Sequence, residues 1–108
     1  MSDQSPREDE IPTHDPEEIE ALRSELAAAD PTVVIANHCY GLFELAAVYL
    51  SEQPPLLEQA QLAIDALAGV VDTLGERLGD STGPLSEGLA QLRLAWVQLR
   101  AVTEAQEA

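Results

Sequence analysis

Apolar residues recur along most of the chain at steps of three and four, the spacing of one face of an α-helix, and nowhere alternate as a strand requires. From Asp15 to Ala29 the stripe is narrow, with Ile19, Leu22 and Leu26. Asp15 suits the N-cap, Pro16 the first turn, and Glu17 and Glu18 the positive end of the helix dipole. The pattern predicts a peripheral helix. Asp30-Pro31 repeats the start signal, and a second helix is expected from about Pro31 to Glu52. Its apolar residues lie on most sides (Val33, Val34, Ile35, Cys39, Leu42, Phe43, Leu45, Val48 and Leu50 among them), the pattern of a buried helix. Asn37, Gly41, Glu44 and Ser51 form its one polar strip, which either faces solvent or sets register in a dimer seam.

Pro54-Pro55 ends that helix and opens a third. There Leu57, Ala60, Ile64, Leu67, Val71, Leu74 and Leu78 form an unbroken heptad seam, fit for the shallow crossing of a bundle. Gly69 and Gly75 each weaken a helix by about 1 kcal/mol relative to Ala, and either admit a close neighbour or serve no packing purpose. The breakers from Gly79 to Pro84 predict a loop. A last helix is expected from Pro84 or Ser86, with Leu85, Leu89, Leu92, Trp96, Leu99 and Val102 as its seam and fraying from Glu104. The fold class expected is all-α: three core helices in a small bundle, a peripheral N-terminal helix, and an acidic tail. Residues 1–14, rich in charge and poor in large apolar side chains, read as disordered, and residues 15–108 as a single helical domain.

Composition sharpens this picture. The chain has 108 residues, 45% of them hydrophobic but only 4% aromatic, so its core is aliphatic and modest in area. Twenty acidic residues against five arginines give a net charge of −15. Such a field repels nucleic-acid phosphates and anionic lipid and steers basic proteins inward. No direct nucleic-acid or membrane binding is expected, and a basic protein is a candidate partner. The absence of lysine beside abundant Arg, Ala, Leu and Gly fits a GC-rich bacterial genome. One cysteine and an acidic, polar N-terminus fit a cytoplasmic protein rather than a secreted one. The apolar run from Thr32 to Leu50 has nearly the length of a membrane span, but it holds Asn37, His38 and Glu44 and lacks a basic flank.

Candidate chemistry is sparse. His38 and Cys39 are adjacent, so they point about 100° apart on a helix. Neither has a second ligand three or four residues away. No metal site, cofactor or catalytic residue is therefore expected. Asp65 and Arg93 each follow a seam residue, where an interhelical ion pair can form. The reading is a non-enzymatic protein-interaction module. The alternative is a metal- or ligand-binding enzyme with a polar site around His38, Glu44 and Asp65, which requires at least two of the three to converge in one pocket. Self-association as a homodimer is expected, because the second helix presents more apolar faces than its neighbours can cover.

Several segments carry a family resemblance. Ala63-Ile64-Asp65-Ala66-Leu67-Ala68-Gly69-Val70-Val71 resembles the second conserved helix of domain of unknown function family 1844, a group of small bacterial proteins. Pro84-Leu85-Ser86-Glu87-Gly88-Leu89 with Leu92-Arg93-Leu94-Ala95-Trp96-Val97 resembles its C-terminal helix, and Gly41-Leu42 through Val48-Tyr49-Leu50 its first. The likeness covers roughly residues 33–100 and is nearest the actinobacterial members. It departs at Thr73-Leu74-Gly75-Glu76-Arg77-Leu78-Gly79, where many members carry a basic turn. The family has no assigned activity. Its actinobacterial genes often lie beside those for a translation initiation factor and ribosomal proteins, so the resemblance implies an association with translation.

Overall fold

The computed structural model describes residues 15–107. The expectation of a disordered tail over residues 1–14 lies outside them. The fold is all-α. Helices α1 (Pro16–Ala28), α2 (Pro31–Ser51), α3 (Leu57–Leu74) and α4 (Thr82–Glu107) follow in order, with a 3₁₀ segment, Gly75–Ser81, between the last two. Two starts follow the capping signals. The Asp15 carboxylate accepts from the Glu18 N–H at 2.8 Å, and that of Asp30 from the Thr32 N–H at 2.9 Å.

Helices α2, α3 and α4 pack against one another, and the 3₁₀ segment closes one end of the bundle. The α3 seam is buried at Ala60, Ile64, Leu67 and Val71 and half-buried at its ends, Leu57 and Leu74. Leu85, Leu89 and Leu92 bury the first half of the α4 seam; Trp96 and Leu99 are half-buried and Val102 is exposed. The Trp96 indole Nε1–H donates to the Leu57 carbonyl at 2.8 Å, tying α4 to the start of α3, while the Arg100 guanidinium lies 5.5 Å from the ring centroid.

The turn between α3 and α4 differs from the sequence reading. Gly75 has a positive φ, 53°, which breaks the α-helix three residues before the last seam position, Leu78, and Gly79, at 64°, bends the chain again just after it. The 3₁₀ segment nevertheless returns Leu78 to the core, 1% exposed. The Thr82 hydroxyl donates to the Gly75 carbonyl at 2.9 Å and fixes the far end of the turn. α4 opens at Thr82, two residues before the nearer of the two expected starts, Pro84 and Ser86, and Pro84 falls within its first turn. At the other end α4 stays helical to Glu107, where fraying was expected; an Arg100–Glu104 pair at 2.9 Å bridges one of its last turns.

α1 is peripheral in the strict sense. It contacts no other described helix, and none of its residues is buried.

Candidate functional site

Helix α2 is not the buried helix its composition suggests. Only Ala36, Cys39, Ala46 and Leu50 are buried, and three of these four are small. Small inward residues let α2 approach α3 and α4 closely. The cost is that bulkier ones stay outside: Val33, Ile35, Tyr40, Leu45 and Val48 are all exposed, Val33 and Val48 at 54%. Asn37, Gly41 and Glu44 share this outer side, so the polar strip faces solvent within the chain. Helix α2 is also long and apolar enough to cross a membrane by length and composition.

Two open grooves flank α3. One, of about 300 Å³, lies between α3 and α4 and is lined by Gln61, Ile64, Asp65, Arg93, Trp96 and Val97. Asp65 and Arg93 thus face a common groove, as their seam positions suggested, yet no ion pair joins them among the described residues. The other, of about 520 Å³, lies between α2 and α3. Its lining is almost wholly apolar or small (Ile35, Ala66, Gly69, Val70, Thr73 and Leu74), with Asp65 as the one charged residue.

The glycines resolve differently from one another. Gly69 has nothing within 4 Å of where a Cβ would stand, so no neighbour within the chain requires it. The close approach occurs instead at Gly88 on α4, where a Cβ would lie 2.9 Å from the Phe43 ring of α2.

The polar candidates do not converge. His38 and Glu44 are both exposed on α2, separated by about 9 Å of helix rise and about 120° of rotation. Asp65 is on α3 and lines both grooves; neither groove contains His38 or Glu44. Cys39 turns into the core, 1% exposed, and loss of solvation raises its thiol pKa. Among the described residues, no group of three or more His, Cys, Asp or Glu is placed to hold a metal ion.

The apolar surfaces are therefore the most developed feature outside the core, and the α3 seam did not announce them. Leu62, Ala66, Gly69 and Thr73 form a second stripe on α3 at steps of four, three and four, and Leu62 is 74% exposed. That spacing was readable, but small residues at three of the four positions gave it little hydrophobic weight. Compared with known protein families, curated proteins and solved structures, the chain matches none.

Proposed function

We propose that this chain is a non-enzymatic, cytoplasmic protein-interaction module that self-associates as a homodimer and offers an acidic surface to a basic protein. The observation that carries the reading is the arrangement of α2, whose small side chains face the core while Val33, Ile35, Tyr40, Leu45 and Val48 face out. Each large aliphatic side chain left in water forgoes about 1.5–3 kcal/mol of burial, which a second protein surface can recover. A two-fold partner supplies a matching surface by symmetry.

The charge of −15 supports the second half of the proposal, because it raises the encounter rate with basic proteins and opposes contact with nucleic acid or anionic lipid. Packing of α2 against α3 and α4, with Asn37, His38 and Glu44 on its surface, supports a helix that works outside lipid. The resemblance to family 1844 belongs to the same proposal and suggests the translation apparatus as the source of the basic partner.

Sedimentation equilibrium at micromolar concentration tests the first half, with a dimer mass expected. A monomer mass at both low and high salt overturns it. Pull-down with the tagged full chain tests the second half. Basic proteins, ribosomal ones among them, should be retained at low salt and released at high salt. Retention that ignores salt, or of proteins without basic character, overturns it.

A further inference from the structure

Among the described residues, α1 packs against no other helix. Its 13 residues fall in the range, about 12–15, at which isolated helices are marginal in water. Yet Ile19, Leu22 and Leu26 fall at i, i+3 and i+7, the spacing by which an amphipathic helix seats itself in an apolar groove. All three are exposed, Leu26 at 58%.

A groove of matching length lies open in the same molecule, between α2 and α3. Its lining along α3 runs from Asp65 to Leu74, a rise of about 13 Å, against about 10 Å from Ile19 to Leu26. Gly69 lies midway along it with open space in front, so a helix can approach closely there.

We infer that α1 is an exchanged arm: the α1 of one copy lies in the α2/α3 groove of a second copy, whose own α1 returns the contact. The inference rests on the self-association proposed above and names the surface that performs it. The joint between α1 and α2 favours exchange over folding back. It has two residues, Ala29 and Asp30, both extended and both engaged. The Ala29 N–H donates to the carbonyls of Glu25 and Leu26 at 3.0 and 3.3 Å. Asp30 caps α2 with its carboxylate, and its carbonyl accepts from the Val33 and Val34 N–H groups at 3.0 and 3.1 Å. With the joint in this conformation α1 touches no other described helix, so lying antiparallel on its own groove requires new backbone angles at Ala29 and Asp30, whereas exchange keeps those observed.

The area also fits a reciprocal contact. A helix of this length is about 20 Å long and about 10 Å across, and seating one side buries roughly 300–400 Å² on each surface. One arm alone falls short of a stable interface. Two arms bury roughly 1,200–1,600 Å² in total, within the standard range of about 1,200–2,000 Å². Each copy carries a net charge of −15, so the exchange works against like charge and tightens with salt.

Cross-linking on the full chain tests this, because buried Cys39 does not compete. L22C chains are mixed with G69C chains under mild oxidation, and a covalent heterodimer joined through those two positions is expected. In parallel, L22D should weaken the dimer about a hundredfold, since the lesion is repeated at both symmetric contacts, while the circular dichroism of the bundle persists. A wild-type dimer that gives no such cross-link, or is unaffected by L22D, overturns the arm and leaves self-association standing. A monomer mass overturns both. An internal disulfide in the L22C/G69C double variant, in place of an intermolecular one, shows that α1 covers its own groove and overturns the exchange.

Discussion

Cys39 is the single residue whose chemistry its position most alters. Burial at 1% exposure raises its thiol pKa, so the thiolate is scarce at neutral pH and also unreachable. A thiol reagent at pH 8 should leave the native protein unlabelled and add one equivalent on denaturation; fast native labelling would mean that α2 opens. The linkage has a definite sign. The unfolded thiol ionises before the folded one, so the unfolded state binds fewer protons in that window, and stability falls as pH rises above the ordinary thiol value. Glycines give a sharper pair. Adding a methyl at Gly88 drives it into the Phe43 ring, and Gly88→Ala should lose about 1 kcal/mol despite its better helix propensity. Gly41 has open space around it, and Gly41→Ala should gain about 0.5–1 kcal/mol by propensity alone. Denaturant midpoints on dilute monomer check both, and equal shifts would mean that the α2–α4 contact is misplaced. Sequence singled out neither distinction, because a glycine's neighbours across a bundle depend on register between helices.

At the scale of elements, legibility follows from how many faces a helix must satisfy. α3 and α4 each have one dominant apolar stripe, and that stripe is where the core forms. α2 misleads because apolar residues all round imply burial only when enough neighbours exist, and the described residues supply two helices and a short turn against it. The side of α2 turned inward carries Ala36, Cys39, Ala46 and Leu50, with Leu42, Phe43 and Tyr49 half-buried against the core beside them. The α3–α4 turn was half legible. Leu78 kept its place in the core although the backbone leaves the α-helix at Gly75, since a 3₁₀ turn still delivers a side chain three residues on. Interaction surfaces were legible as excess hydrophobicity on α2 but not as the groove over Gly69, which arises only when α2 and α3 meet. Caps distinguish the docked helix from the undocked one. Asp30→Ala removes the cap of a helix built into the bundle and should cost about 1 kcal/mol of global stability. Asp15→Ala removes an equivalent cap from α1 and should lower helicity while leaving the monomer's unfolding midpoint in place. A matching fall in both midpoints would show that α1 is part of the monomer's cooperative unit.

At the scale of the whole molecule, charge and hydrophobicity act in opposite directions on the two contacts proposed. A copy carrying −15 meets another carrying −15, so association through apolar faces proceeds against a repulsion that reaches about one Debye length, 30 Å at 0.01 M salt and 8 Å at 0.15 M. Added salt shortens that reach and leaves apolar burial nearly untouched, so self-association should tighten as sodium chloride rises from 0.01 to 0.15 M. Contact with a basic protein depends on the same field with the opposite sign. Its on-rate and affinity should fall over that interval. Sedimentation equilibrium of the chain alone and of the chain with a captured basic protein, both across this salt series, measures the two slopes. Slopes of opposite sign would separate an apolar self-contact from an electrostatic hetero-contact on one small molecule. A dimer that dissociates as salt rises would require attractive charges across its interface. Among the five arginines, Arg93 lines the groove between α3 and α4 and Arg23 lies on α1 itself, so a salt effect lost in Arg93→Ala and kept in Arg23→Ala would take the main contact away from the arm.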